Sequence, residues 1–270
     1  IFNEKTQCGL GKNLRISKNL SQDSCSKAFR SIDRYIQISN SMKAELFIVA
    51  TAAIREAEDG KDFTNKVNNK FNVNVNILSS REEARYSSLG VISSFSNPNG
   101  VIGDLGGGSL ELTSTSDSSF NRTVTCPLGI LKFEKQLSRK NYLIKKIDSH
   151  LDKIDWLVNE RDKSFYAIGG AWRSLAKVFM NWSKYPISVI HNYEISYKDA
   201  LELCKVLSNL NYSLKSMSVI SKPRRRSLSY SSLLLERILL KVRPKNIIFS
   251  SYGIREGILY DKLSEEEKKV

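Results

Sequence analysis

Three consecutive glycines stand between two acidic residues in residues 101–112, which read VIGDLGGGSLEL. An apolar stretch delivers Asp104, and a second apolar stretch after the glycines carries Glu111. Because glycine has no side chain, the backbone N–H groups of such a turn can come close to an anion. The two carboxylates are near enough in sequence to hold Mg²⁺ or to orient a water molecule. The segment therefore predicts a strand, a glycine turn that cradles phosphate, and a second strand.

Other glycine motifs that bind phosphate do not fit this segment. A dinucleotide-binding fingerprint requires a helix after the glycines, whereas an apolar strand pattern follows here. A P-loop requires Gly-Lys-Ser/Thr, which is absent from the chain. The alternative is an ordinary hairpin with a glycine-rich turn, although a tight hairpin needs one or two glycines rather than three.

The elements that must position this turn alternate between strand and helix patterns, which predicts an α/β fold with some parallel strand pairing. Strands are predicted at residues 2–10, 45–51, 72–78, 100–105, 110–114, 122–126, 164–168 and 246–250. Helices are predicted at residues 21–42, 62–71, 80–91, 171–181, 196–210, 214–218 and 223–242, from about residues 53 and 254, and over most of 130–160. The three strands from residue 100 to residue 126 are joined by short loops, so we expect an antiparallel meander.

A second glycine pair, Gly169-Gly170, lies between a predicted strand and a predicted helix. Such a helix N-terminus can receive an anion. A simple strand–helix turn is an equal alternative, and the bulky Trp172 follows at once, so we assign no nucleotide site here. Neither His150 nor His191 is interpreted as catalytic.

The chain of 270 residues carries 42 basic and 28 acidic residues, a formal net charge of +14. A polyanionic partner or a generally basic composition would each account for this excess. No apolar run approaches the roughly 20 residues of a membrane helix, so we expect no membrane association. The four cysteines form no CxxC pair. We therefore expect neither a zinc site nor disulfides, and we expect a cytoplasmic protein with reduced thiols.

Several segments together resemble the exopolyphosphatase / guanosine pentaphosphate phosphohydrolase family, in the order that the family shows. The matching segments are ATAAIREAEDG (50–60), SSREEARYSSLGV (79–91), DLGGGSLEL (104–112), PLGILKF (127–133), AIGGAWRSLAK (167–177) and FSSYGIREGILY (249–260). The resemblance implies the two-domain actin-like (ribonuclease H-like) α/β fold with an interdomain cleft. The expected domains are residues 1–97 and 98–253, with the last helix, 254–270, returning to the first domain.

The resemblance also implies roles for individual residues. Glu83 would be the catalytic base that takes a proton from the attacking water, with Glu82 as the fallback. A capping box over residues 80–83 is the structural alternative for Glu83. Asp104 would hold the metal or its water, Glu111 would be a second Mg²⁺ contact, and Arg55 would pair with phosphate, unless it is a solvated arginine at a helix start. The remaining phosphate-binding residues would be Gly106, Gly107, Gly108 and Ser109.

The implied reaction is metal-assisted hydrolysis of a terminal phosphoanhydride in inorganic polyphosphate or guanosine pentaphosphate, and the family resemblance also suggests a homodimer. The family's first phosphate motif has no counterpart here, and since the chain begins at Ile1 inside a strand pattern we expect further residues before it. Loss of that motif would instead give a binding protein that senses polyphosphate or alarmone. A sugar-kinase-like transferase is a further alternative, and nucleic-acid binding rests on charge alone. The basic clusters at residues 222–226 and 241–245 are candidates for holding a distal polyphosphate chain, with a solvated face as the alternative.

Overall fold

The computed structural model describes residues 4–12, 14–133, 136, 138–209, 220, 222–263 and 267–269. Its helices are α1 Leu14–Ser17, α2 Gln22–Met42, α3 Ala52–Arg55, α4 Gly60–Phe71, α5 Ser80–Ile92, α6 Ile130–Phe133, α7 Lys140–Leu151, α8 Gly170–Trp182, α9 Tyr197–Leu207, α10 Lys222–Val242 and α11 Ile254–Lys262. Its strands are β1 Ile48–Ala50, β2 Val75–Ile77, β3 Gly100–Leu105, β4 Leu110–Ser116, β5 Ser119–Cys126, β6 Ser164–Ile168, β7 Tyr193–Ser196 and β8 Asn246–Phe249. Short 3₁₀ helices cover Asp155–Glu160 and Glu267–Lys269.

The chain divides into two compact units, residues 1–82 and residues 83–270. In the first unit, β1 and β2 form a parallel pair beside α2 and α4. Its core is small, and Phe29 of α2 packs edge-on against Phe63 of α4 with ring centroids 5.3 Å apart. Helix α2 begins after Ser21, whose side chain accepts a hydrogen bond from the Ser24 N–H and so caps the helix.

The second unit is built on a six-stranded mixed sheet with the order β5-β4-β3-β6-β8-β7. Strands β3, β6 and β8 run parallel, whereas β3, β4 and β5 form the expected antiparallel meander. The sheet buries one face against α8 and α10, in a large core that includes Val101, Leu105 and the fully buried Trp172. Because side chains alternate along a strand, Ile102 and Asp104 point to the opposite face, where Ile102 clusters with Val91 of α5.

Helices α5 and α11 approach each other through glycines. A Cβ atom on Gly257 would lie 1.8 Å from the Tyr86 carbonyl oxygen, and one on Gly90 would lie 2.3 Å from the Gly253 carbonyl oxygen. The last helix, expected to return to the first domain, therefore contacts α5. The contacting residues of α5 and those at and before α11 belong to the second unit. The division between units falls at Glu82–Glu83. The assignment of residues 1–97 and 98–253 to the two domains of the fold family stays a prediction.

Most of the predicted strands and helices are present in the structure. The strand predicted at residues 2–10 is wrong, since the described residues 4–9 are irregular and pair with no described strand. Strand β7 was not predicted; it is a short edge strand that pairs only with β8. The helix predicted at residues 214–218 lies outside the described residues. Within the described part of the chain, no helix is long and apolar enough to span a membrane.

We predict that Gly257→Ala destabilises the fold by about 1–3 kcal/mol, because the new methyl group would have to displace the backbone of α5. On an open helix surface the same change would stabilise, since alanine is the better helix former. Urea unfolding at neutral pH measures the difference. Gly106→Ala is the control, because its Cβ would meet only the Ser109 carbonyl oxygen at 3.5 Å. An unchanged or raised midpoint for Gly257→Ala would show that the two helices are not tightly apposed.

Candidate active site

The glycine turn connects β3 to β4 and is held from behind by the start of α6. The Gly106 N–H donates to the Ser109 carbonyl at 3.0 Å, which closes the turn. The carbonyls of Gly106 and Gly107 accept hydrogen bonds from the N–H groups of Ile130 and Leu131, at 3.2 and 2.9 Å. Among the described residues, the N–H groups of Gly107 and Gly108 have no hydrogen-bond acceptor. Carbonyl groups of the turn are thus hydrogen-bonded within the protein, whereas two of its N–H groups can donate hydrogen bonds to an anion.

These glycines are not explained by the backbone conformation of the hairpin. None of the three has a positive φ, so the turn itself could be built from other residues. Close packing accounts for part of the pattern. A Cβ on Gly129 would lie 2.1 Å from the Gly108 carbonyl carbon, and one on Gly107 would lie 3.1 Å from the Leu131 side chain. The backbone conformation of the turn therefore does not explain the three glycines, and close packing explains only part of the pattern.

Asp104 and Glu111 are directly opposite each other across the β3–β4 ladder. Opposed residues of an antiparallel pair share one face of the sheet, with Cβ atoms about 4.5–5.5 Å apart. The two predicted carboxylates therefore lie side by side next to the glycine turn. Glu111 is only 3% exposed. Burial, together with the charge of Glu111, raises the pKa of the nearby Cys126 thiol to about 11.

Asp104 is held by residues from two helices. The Ser87 hydroxyl on α5 donates a short hydrogen bond to Asp104 Oδ2. Burial raises the pKa of Asp104 above its usual range, and the Ser87 hydrogen bond and the positive charge of Arg173 on α8 partly oppose this rise. Two helices far apart in sequence therefore converge on one carboxylate.

The second glycine turn packs against the first one. Gly169 has φ +101°, and a Cβ there would lie 2.5 Å from the Leu105 carbonyl oxygen and 3.2 Å from Asp104 Oδ1. Only glycine fits such a close approach in this backbone conformation. Helix α8 starts at Gly170, and Arg173 in its first turn donates from Nη1 to the Ser251 carbonyl at 3.0 Å. Trp172 points away into the core, so it leaves this end of the sheet to polar groups.

Glu83 lies on α5 and is 8% exposed. The capping box expected at residues 80–83 is wrong by one residue, because Ser79 and Glu82 form it instead. The Ser79 N–H and hydroxyl both donate to Glu82 Oε2, and the Glu82 N–H donates to Ser79 Oγ. Helix capping therefore accounts for Glu82 and does not account for Glu83. Glu83 precedes Ser87 by four residues, so both lie on one face of the helix, the face that meets Asp104.

Arg55 belongs to the first unit, at the end of α3. Its Nη1 donates to the Leu78 carbonyl at 2.6 Å, and the side chain is partly buried. This arginine is therefore held by its own unit rather than solvated, and its predicted contact with phosphate stays a prediction.

Within the second unit, the structure thus brings together Asp104, Glu111, the glycine turn and the Glu83 face of α5. Among the described residues, no cluster of three metal-ligating side chains is present. The sequence analysis assigns no role to Ser87 or Arg173. The only signal is their place inside segments that resemble the family, four residues after Glu83 and in the first turn after Gly169-Gly170. The side chains of Lys222, Arg224 and Arg226 lie outside the described part of the structure, whereas Lys241 pairs with Asp152 at 2.8 Å.

The model of the Ppx/GppA phosphatase family matches residues 1–266. Retrograde regulation protein 2 of Saccharomyces cerevisiae is 27% identical over 246 residues, which are 81% of this chain and 42% of the yeast protein. A bifunctional 3-dehydroquinate synthase/phosphatase of Fusobacterium nucleatum is 24% identical and is covered to 25% of its length. Exopolyphosphatase 1 of Mycobacterium leprae is 24% identical over 93% of this chain and 78% of its own. The chain therefore spans less than half of the first two relatives.

Solved structures of the same family share the fold. A Ppx/GppA family member of Aquifex aeolicus superposes with a TM-score of 0.79 at 20% identity, covering 95% of this chain and 88% of that one. An exopolyphosphatase of Cytophaga hutchinsonii gives a TM-score of 0.82 at 19% identity, covering 96% and 88%. These matches confirm the predicted fold class, the two-domain actin-like α/β fold. The family model runs through nearly the whole chain, including the glycine turn with Asp104 and Glu111. The chain therefore belongs to the Ppx/GppA phosphatase family.

Proposed function

We propose that this chain hydrolyses terminal phosphoanhydride bonds of inorganic polyphosphate or guanosine pentaphosphate. The observation that carries the proposal is the cross-strand pairing of Asp104 with Glu111 directly beside a glycine turn that has backbone donors to spare. Such a site could bind a terminal phosphate through its N–H groups, and its two carboxylates could hold the cation that offsets the negative charge of the phosphate. Family membership supports the same class of reaction.

In this mechanism the N–H groups of the glycine turn bind the oxygens of the terminal phosphate and stabilise the charge that develops there. Glu83 accepts a proton from the attacking water, a role that needs a carboxylate positioned within hydrogen-bond reach of that water. The Ser87 hydroxyl holds Asp104 in one orientation, and Arg173 adds positive charge beside it. Arg55 is proposed to pair with a further phosphate of the substrate, as a fork that remains charged.

The proposed cofactor is Mg²⁺, and the donor set fits this ion. Mg²⁺ is bound in phosphoryl-transfer sites through one or two carboxylates, with the remaining positions filled by water and phosphate oxygens. Asp104 and Glu111 provide two carboxylates on one face of the sheet, and two like charges placed opposite each other are unfavourable unless a cation lies with them. When bound, the ion would neutralise phosphate charge and polarise the bond that breaks.

A regulatory binding protein is the second candidate. One relative, matched over 81% of this chain, bears a name that describes regulation rather than hydrolysis. In that case the same glycine turn would bind polyphosphate or alarmone without cleaving it.

The cytoplasmic location and the homodimer expected for this protein stay predictions.

Phosphate release from long-chain polyphosphate and from guanosine pentaphosphate, measured with Mg²⁺ and with a chelator, tests the proposal. Release that depends on Mg²⁺ is expected from at least one substrate. Tight binding without release would favour the regulatory protein instead. Phosphate transfer from ATP to a sugar, with no hydrolysis of either substrate, would favour a kinase-like activity.

We predict that Glu83→Gln lowers kcat by at least tenfold, because general-base catalysis contributes about 10²–10⁴-fold. Glu82→Gln is the matched control, since a glutamine retains the capping box and leaves the proposed base in place. We expect kcat of the control to stay within twofold of the wild type. A loss of less than tenfold in Glu83→Gln would remove Glu83 from the role of base.

We predict that Asp104→Asn abolishes most of the activity and yet stabilises the metal-free protein at pH 7, by about 0.5–2 kcal/mol. Since burial raises the pKa of Asp104, the folded state favours its protonated form. Its contribution to stability is therefore greatest below the pKa of the unfolded chain and is lost as pH rises through the folded pKa. The advantage of the asparagine variant should shrink from pH 7 towards pH 4. Urea unfolding with a chelator measures it, and an advantage that grows on acidification would contradict this view.

We predict that Ser87→Ala lowers kcat about tenfold with a small change in KM, because Asp104 loses the hydrogen bond that orients it. Ser88→Ala is the control, since the neighbouring serine is equally buried but donates to the Ala84 carbonyl at 2.8 Å within its own helix. Ser87→Thr keeps the hydroxyl and should restore most of the rate. Equal losses in the two alanine variants would indicate a packing effect rather than positioning.

A further inference from the structure

A basic groove lies on the first unit between α2 and α4. It encloses about 480 Å³ and is lined by Ser26, Phe29, Arg30, Lys66 and Lys70. Three of the five lining residues are cations, one carries a hydroxyl, and none of them is acidic. We name this feature the α2–α4 groove.

The cations of the α2–α4 groove have no ion pair among the described residues. Two other basic side chains of α2 do have acidic partners: Lys27 pairs with Asp23 at 2.6 Å and Arg34 with Glu4 at 2.7 Å. The acidic neighbour Asp59, whose charge acts with that of Lys66 on the Cys25 thiol, is already engaged. Its two oxygens accept the Leu20 N–H at 2.9 and 3.2 Å.

The arrangement is electrostatically unfavourable unless an anion joins it. Lys66 and Lys70 are four residues apart on α4, so their ammonium groups share a helix face and repel each other. Arg30 adds a third positive charge from the facing helix. A bound polyanion would neutralise all three charges together.

The walls of the α2–α4 groove pack against the core of the first unit. Phe29 packs against Phe63 and Phe71, with ring centroids 5.3 and 6.0 Å apart. The Lys70 ammonium lies 5.5 Å from the Phe29 ring and 5.2 Å from the Phe71 ring, a cation–π position that holds it over the groove. Both helices are fixed by the core beneath them, where Ala28 and Val67 are buried.

We propose that the α2–α4 groove binds consecutive phosphate groups of an inorganic polyphosphate chain. Arg30 offers a planar fork to one phosphate, Lys66 and Lys70 act as point charges, and Ser26 can donate a hydroxyl hydrogen bond. The fully charged, unbranched chain of phosphates fits an open groove with cations on two sides. The capacity to bind phosphate oligomers does not depend on hydrolysis, whereas the identification of the oligomer as the substrate chain rests on the proposed function.

The test measures binding of tripolyphosphate, long-chain polyphosphate and guanosine pentaphosphate by calorimetry, in the Glu83→Gln background to prevent cleavage. The groove variant combines Arg30→Gln, Lys66→Gln and Lys70→Gln. The control variant combines Lys177→Gln, Lys198→Gln and Lys205→Gln, which removes the same charge from exposed helix positions outside the groove lining. Circular dichroism checks the fold of both, and Arg30→Gln alone serves if the triple groove variant does not fold.

We expect the groove variant to bind long-chain polyphosphate about tenfold or more weakly, with the control within twofold of the parent. The salt dependence of binding should also fall by about one logarithmic slope unit for each cation that contacts phosphate. Equal losses in both variants would mean general charge attraction and would overturn the proposal. A loss confined to guanosine pentaphosphate would overturn the assignment to polyphosphate.

The same proteins, without the Glu83→Gln change, separate this proposal from the proposed function. Groove-dependent binding in a protein that releases no phosphate would support the groove and contradict hydrolysis. Normal hydrolysis together with unchanged binding in the groove variant would contradict the groove alone.

Discussion

The structure of the candidate site depends on placing two carboxylates opposite each other at the end of a buried strand pair. Asp104 and Glu111 occupy one cross-strand position, and the protein interior makes such a pair costly. The surrounding residues offset this cost from outside the sheet. Ser87 donates to Asp104 from α5, and Arg173 brings its charge from the first turn of α8. The site is therefore assembled where the β3–β4 pair, α5 and α8 meet. Its geometry depends on the strand register more than on any single residue.

Glycine makes this assembly possible through close backbone approach. Gly169 lets the second turn lie against Leu105 and Asp104, and Gly129 lets the loop before α6 lie against the first turn. Gly90 and Gly257 bring α11 onto α5, the helix that carries Glu83 and Ser87. Each position lacks room for a methyl group, so a larger side chain would move a wall of the site. The glycines that matter for geometry are thus spread well beyond the triplet of residues 106–108.

The sequence was informative wherever the deciding interactions are local. The strand–glycine turn–strand over residues 100–116 follows from apolar stretches and turn residues, and the structure has it. Capping is also local, yet the sequence predicts the capping box one residue too late, because Ser79 and Ser80 are equally good candidates for the N-cap. Which serine caps depends on where the helix leaves the preceding strand, and the sequence does not encode this by residue type. That single shift removes the capping alternative for Glu83, which is a buried carboxylate that the cap does not use.

Non-local contacts were beyond the sequence for a physical reason. Ser87 in the middle of α5 and Arg173 in the first turn of α8 meet at Asp104 only because the two helices pack on opposite faces of the same sheet. Serine and arginine are common on helix surfaces, so neither residue type signals such a role.

The sequence also does not show which charged side chains form ion pairs. In the second unit, Arg237 pairs with Asp148 at 2.8 Å and Lys163 with Glu160 at 2.9 Å, so these two cations have structural partners. The cations of the α2–α4 groove have no such described partner, and only the fold shows that they face one another. Net charge alone fits a polyanionic partner or a basic composition equally, whereas the unpaired cations that face one another are what led us to propose a binding place for a polyanion.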